Sequence, residues 1–147
     1  MVTSQQCVDR YGAPDIAFER KWMVVWVPPP SITALPRRIY CHKHLRPLLA
    51  QACDYIIERG LTEQVKTWDG CFNVRAKKGG ASLSLHSWGL AVDVNAAWNG
   101  FGMVPTMSPA LVACFTDAGF AWGGTWKRPD GMHAELKVLP VEQKEKV

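Results

Sequence analysis

Ser84-Leu-His-Ser-Trp-Gly-Leu-Ala-Val-Asp-Val94 reads as a polar loop feeding a short, mostly apolar strand over Leu90–Val94 that carries one carboxylate. A carboxylate among valines is costly unless a cation or hydrogen-bond donors meet it. His86 lies seven residues before Asp93, and Gly89 between them lets the chain bend sharply enough for imidazole and carboxylate to converge. Further along, Asp130-Gly-Met-His133 offers a second imidazole in a strand-like run. Two imidazoles and a carboxylate make the ligand set of a catalytic zinc site, in which a fourth position stays open to water. Asp130, three residues before His133, can reach that site without being a ligand. It stands where a general base would take a proton from water and return it to a leaving amine.

Outward from this stretch, the rest of the chain alternates short strands with two good helices. Residues 4–11 read as an opening helix stopped by Gly12 and Pro14. Trp22–Val27 is rich in β-formers and ends at Pro28-Pro29-Pro30, and Arg38–Cys41 is a further strand candidate. From His44 to Arg59, Leu45, Leu48, Leu49, Ala52, Ile56 and Ile57 recur at helical spacing, with Pro47 in the first turn and Gly60 at the C-terminal end. Val65–Val74 reads as a strand or hairpin broken at Asp69-Gly70, and Lys77-Lys-Gly-Gly80 as an exposed loop. Ser108-Pro109 opens a helix that Gly119 ends. Phe120–Trp126 and Met132–Val138 read as the last strands. The pattern predicts a small α+β domain: a largely antiparallel sheet carrying the zinc site and packed with helices. One domain over 1–147 is expected, with residues 1–30 as an N-terminal extension and 140–147 as a polar, frayed tail.

Composition narrows the function. The chain has 147 residues, 48% hydrophobic and 20% charged, enough apolar content for a real core and too little charge for disorder. The formal charge of +4 is not gathered into a stripe: Arg37-Arg38 and Lys77-Lys78 are the longest basic runs, which argues against a nucleic-acid binder. Five cysteines, an odd number without a CxxC, argue against a disulfide framework or a thiolate zinc site. No apolar run is long enough to span a bilayer. Residues 1–10 lack a basic segment followed by an apolar one, so synthesis in the cytoplasm is expected, with action on the cell wall only after release.

The pattern S-x-H-x-x-G-x-A-x-D followed by a carboxylate-x-x-H resembles the zinc peptidases that include D-alanyl-D-alanine carboxypeptidases and dipeptidases and the L-alanyl-D-glutamate endopeptidases of bacteriophages. The resemblance runs from about Trp68 to Leu136, and more loosely from His44 onward. It implies zinc on His86, Asp93 and His133, Asp130 as general base, and a small α+β domain with the site on an antiparallel sheet. Many members carry glutamate where this chain has Asp130, although similar phage endopeptidases use aspartate.

Arg75 stands where the family has an arginine; its guanidinium can grip a substrate carboxylate or the developing oxyanion, the alternative being a surface arginine. Ser84 matches a substrate-binding serine or is a turn hydroxyl. Trp88, Trp122 and Trp126 either wall the cleft or fill the core. Glu135 alternates with His133 and shares its face, as a support for the ligand or as a surface carboxylate. Cys41-His42-Lys-His44 has a metal-like spacing without a partner motif, so His42 and His44 read as the start of the helix, with a second metal site as the alternative.

The function expected is therefore a monomeric zinc metallopeptidase cutting peptidoglycan stem peptides, with the L-alanyl-D-glutamate bond favoured, as in a phage or prophage endolysin. Removal of terminal D-alanine is the alternative. A non-catalytic zinc-binding recognition module is the rival from another class, and Asp130 is the residue such a module would have lost.

Overall fold

The architecture follows from where the chain can cap, bend and bury itself, as seen in a computed structural model that describes residues 1–142. Thr3 and Gln6 form a capping box that starts α1 (Ser4–Tyr11), and Gly12 ends it. A second helix follows that the sequence pattern had not marked: Asp15 accepts from the Phe18 N–H and opens α2 (Ile16–Trp22), so Trp22 closes a helix rather than opening a strand. β1 (Met23–Trp26) pairs antiparallel with β2 (Ile39–His42) in a two-stranded sheet. Cys7, Tyr11 and Phe18 are buried, and Trp88 Nε1 donates to the Gly12 carbonyl at 2.9 Å, which ties the N-terminal helices to the strand-and-loop motif.

The helix expected over 44–59 is α3 (Arg46–Glu58), with Pro47 in its first turn and Gly60 just past its end at φ +69°. Leu49, Ala52, Cys53 and Ile56 form its buried face, which packs against α4 (Pro109–Ala118). Ser108 caps α4 through the Leu111 N–H, and Gly119 ends it in the left-handed region at φ +109°, where a Cβ is disfavoured. Leu111, Cys114 and Phe115 are its buried residues. His42 belongs to β2 and His44 to the turn after it, so neither begins α3.

The main sheet is four-stranded and antiparallel, in the order β3–β4–β6–β5, with β3 at Trp68–Gly70, β4 at Ala91–Val94, β5 at Phe120–Trp122 and β6 at His133–Leu136. All four strands are shorter than their β-forming runs. Asp69-Gly70 does not turn a hairpin: Gly70, at φ +123°, makes a bulge against β4, and Cys71 then leaves the sheet. After Trp122 the chain tightens into a short 3-10 turn at Gly123–Thr125 instead of continuing the strand. Small α+β domain and antiparallel sheet are both as the sequence pattern anticipates. The polar tail expected over 140–147 lies, from residue 143 on, outside the described residues. No helix among the described residues is long and apolar enough to cross a membrane.

Candidate metal centre

β4 and β6 are paired so that Asp93 sits directly opposite His133, and Ala91 opposite Glu135. His86 arrives from the other side. Ser84 caps a 3-10 turn over Leu85–Trp88 by accepting from the His86 N–H, and Gly89 ends the turn at φ +65°. A Cβ on Gly89 would lie 2.7 Å from Met23 Cε and 2.9 Å from the His42 backbone nitrogen, so this close approach requires glycine.

One candidate ligand atom from each of His86, Asp93 and His133 lies within 4.8 Å of the others, and all three residues are buried. His86 Nε2 is 3.1 Å from Asp93 Oδ2, and His133 Nδ1 is 3.3 Å from Asp93 Oδ1. The opposite nitrogens are engaged. His86 Nδ1 is 2.6 Å from the Cys71 carbonyl, and His133 Nε2 is 2.8 Å from Glu135 Oε1. A carbonyl oxygen only accepts, so His86 Nδ1 carries a proton. In the neutral ring Nε2 then presents a lone pair to a carboxylate at 3.1 Å. Such a contact repels unless a proton or a metal ion lies between the two atoms. His86 Nε2 and Asp93 Oδ1 are also buried without a hydrogen-bond partner. The donor set, two imidazole nitrogens and a carboxylate, suits zinc, and the outer partners fix both tautomers as metal-ligating histidines require.

The electrostatics point the same way. Burial works against the Asp93 carboxylate, but contacts to His133 and His86 outweigh it and hold the group well below the usual carboxylate range. Burial likewise lowers the affinity of His133 for a proton, yet bonds to Asp93 and Glu135 overcome it and push the pKa up to about 9. In the metal-free chain the His133 imidazolium thus occupies the place of a cation between two carboxylates.

A cavity of about 240 Å³ opens onto this cluster, and Arg75, Ser84, Asp130 and His133 all line it. Asp130 is 6% exposed; its Oδ1 makes no hydrogen bond and has the Lys78 ammonium 3.6 Å away. The Arg75 guanidinium lies 4.0 Å from Asp93 Oδ2, while its backbone N–H and C=O are both held by the Ser87 hydroxyl. Ser84 has its oxygen committed to the His86 turn. Glu135 is 5% exposed and hydrogen-bonded to the candidate ligand His133, not a surface carboxylate. Trp88 requires correction: it is fully buried with its Nε1 committed to Gly12, so it packs the core, and Trp126 with Phe101 supplies the aromatic lining instead. Trp122 donates to the Gly131 carbonyl, bracing the Asp130–His133 turn.

His42 and His44 form no second metal group among the described residues. His42 Nδ1 accepts from the His44 N–H, and both rings pack against Tyr11 and Trp22. The Cys71 carbonyl and Ser87 were not legible as partners, because a backbone oxygen and a lone hydroxyl have no spacing signature.

A buried His-Asp-His cluster with a carboxylate beside it in a cleft defines a candidate metal centre of hydrolytic type. Residues 77–136 match the family model described as D-alanyl-D-alanine carboxypeptidase, and this supports the peptidase family to which the motif points. The matched segment holds all three candidate ligands and Asp130, with Arg75 two residues ahead of it. No curated protein and no solved structure gives a significant match.

Proposed function

We propose that the chain is a zinc metallopeptidase that hydrolyses peptidoglycan stem peptides, cutting the L-alanyl-D-glutamate bond in the manner of a phage or prophage endolysin. The observation that carries this reading is the convergence of His86 Nε2, His133 Nδ1 and the Asp93 carboxylate, two of them lacking partners, beside Asp130 in one cavity. Zinc, when bound, supplies a Lewis acid that polarises a carbonyl and makes water a nucleophile near neutral pH. The protein groups do the rest. Asp130, acceptor-only when ionised, takes the proton of the attacking water and passes it to the leaving amine. Arg75 meets negative charge that develops on the substrate or a carboxylate it already carries. Ser84 holds the His86 turn and presents its edge to the cavity. The chain works as a monomer in this account, reaching the wall after release from the cytoplasm. The description of the matched family favours a second reading, removal of terminal D-alanine by the same residues.

Digestion of purified peptidoglycan by zinc-loaded protein, with mass spectrometry of the fragments, tests the proposal. New alanine and glutamate ends made by wild type establish the endopeptidase, and released D-alanine establishes the carboxypeptidase. Asp130→Ala should lose about 10²–10⁴-fold in rate, the usual worth of a positioned base. A folded wild type that holds stoichiometric zinc and cuts nothing would make the chain a zinc-binding recognition module.

A further inference from the structure

The mouth of the cavity carries four cations, Arg75, Lys77 and Lys78 from one stretch and Arg128 from another. Two already face carboxylates, Arg75 at Asp93 and Lys78 at Asp130. Arg128 has neither an ion pair nor a hydrogen bond among the described residues, and it is held in place nonetheless. Its guanidinium carbon sits 4.3 Å from the centre of the Phe101 ring, and the Lys78 ammonium shares that ring at 5.8 Å. The missing side chain of Gly102 lets it lie there, and Gly79 lines it at ordinary contact distance. A Cβ on Gly102 would come within 3.1 Å of Arg128 Nε, and one on Gly79 within 3.6 Å of Nη1. Both glycines have positive φ, +81° and +73°. The Gly102 N–H also donates to the Pro129 carbonyl, next to Arg128. Like charges gathered around one aromatic ring repel each other, so an arrangement that orders them at a cleft mouth suits an incoming anion. Arg128, planar and always charged, matches a carboxylate with two parallel N–H bonds.

Resting on the peptidase reading, we propose that Arg128, stacked on Phe101 and assisted by Lys77, is a specificity-determining residue. It takes a carboxylate of the substrate peptide beyond the scissile bond. The substrate class is then an anionic peptide with a free carboxylate on a residue adjoining the cut, as the D-glutamate of an L-alanyl-D-glutamyl peptide provides. The amidated form of that residue is discriminated against, because an amide offers a single acceptor and no charge. Arg75 remains with the reacting centre, so the two arginines read different parts of one substrate.

The test uses two synthetic L-alanyl-D-glutamyl peptides that differ only in whether the glutamate carboxylate is free or amidated. Zinc-loaded wild type and Arg128→Met are compared on both. For wild type the free acid should have a KM about tenfold or more below that of the amide, with similar kcat. Arg128→Met should erase that difference by raising KM for the acid alone, and Arg128→Lys should restore part of it. Calorimetric binding of the same peptides to metal-free protein, where no cleavage occurs, should show the same ranking and the same loss. Equal effects of the substitution on acid and amide, or none on either, would overturn the proposal. If wild type cleaves neither peptide yet binds the acid in preference through Arg128, the peptidase reading fails while the carboxylate subsite stands.

Discussion

Removing the charge of Glu135 probes whether the interior of the site is built for a cation. Its Oε1 lies 2.8 Å from His133 Nε2, and the side chain is 5% exposed. The carboxylate keeps the proton on Nε2, so that Nδ1 turns its lone pair toward Asp93, and it raises the basicity of that lone pair. Glutamine preserves an acceptor oxygen without charge, and leucine removes both. Partners of this kind are worth about 10–100-fold in metal affinity. We expect about tenfold weaker zinc binding for Glu135→Gln and about a hundredfold for Glu135→Leu, roughly 1.4 and 2.7 kcal/mol. The pH of the assay decides how much of this is seen. With the His133 pKa at about 9, a proton holds the ligand atom at pH 7. Displacing that proton costs wild type roughly two pKa units, about 2.7 kcal/mol. The variants bind that proton less tightly as well, so at pH 7 part of their defect is masked, and it should emerge in full near pH 9.5. Competition with a chromophoric chelator at both pH values measures it. A thermal melt of the metal-free proteins checks folding, and exposed Glu63→Gln serves as the neutral control. A folded Glu135→Leu that binds zinc as tightly as wild type at pH 9.5 would show that Glu135 does not support a cation on His133.

Three further outcomes are expected. Zinc binding at pH 7 should release about one proton, from His133 Nδ1, because Asp93 is already ionised; calorimetry in buffers of different ionisation enthalpy counts it, and the release should fade above pH 9. His42 is fully buried, and burial, then the neighbouring His44, Lys43 and Arg10 charges, hold its pKa down to about 3. Between about 6.5 and 3 only the unfolded chain protonates this group, so its stability contribution falls with pH, by up to about 4 kcal/mol. Urea unfolding of His42→Asn should show a shallower loss over that window than wild type, and equal slopes would dismiss the effect. Gly89→Ala, at φ +65° against Met23 and the His42 backbone, should cost about 2–3 kcal/mol and lower Tm by roughly 5–10 °C.

What the sequence discloses depends on whether a feature is written in side-chain spacing. Asp93 and His133 were legible because a strand needs few residues and a charged one among apolar neighbours stands out, and His86 because Gly89 separates it from Asp93 by a sharp bend. α3 and α4 were legible through periodic leucines and a serine-proline cap. α2 was missed because a seven-residue helix rich in Arg20, Lys21 and Glu19 has little periodicity, and its signal was the Asp15 cap alone. Asp69-Gly70 has the composition of a hairpin turn, yet the neighbouring strand β4 captured it as a bulge, a tertiary effect. Trp88 sits between two motif residues, but the 3-10 turn that brings His86 to the candidate site leaves Trp88 in the core against Gly12. Arg128 and Phe101 are far apart in the chain and belong to no motif. Only the folding of their loops joins them.

The proposed peptidase requires one zinc ion held by His86 Nε2, His133 Nδ1 and the Asp93 carboxylate. X-ray diffraction from zinc-loaded crystals, with anomalous maps on either side of the zinc edge, tests it most directly. A single strong peak is expected within coordinating distance of those three groups, facing the cavity that Asp130 lines. A peak at any other residues, or none where these three meet, would contradict it.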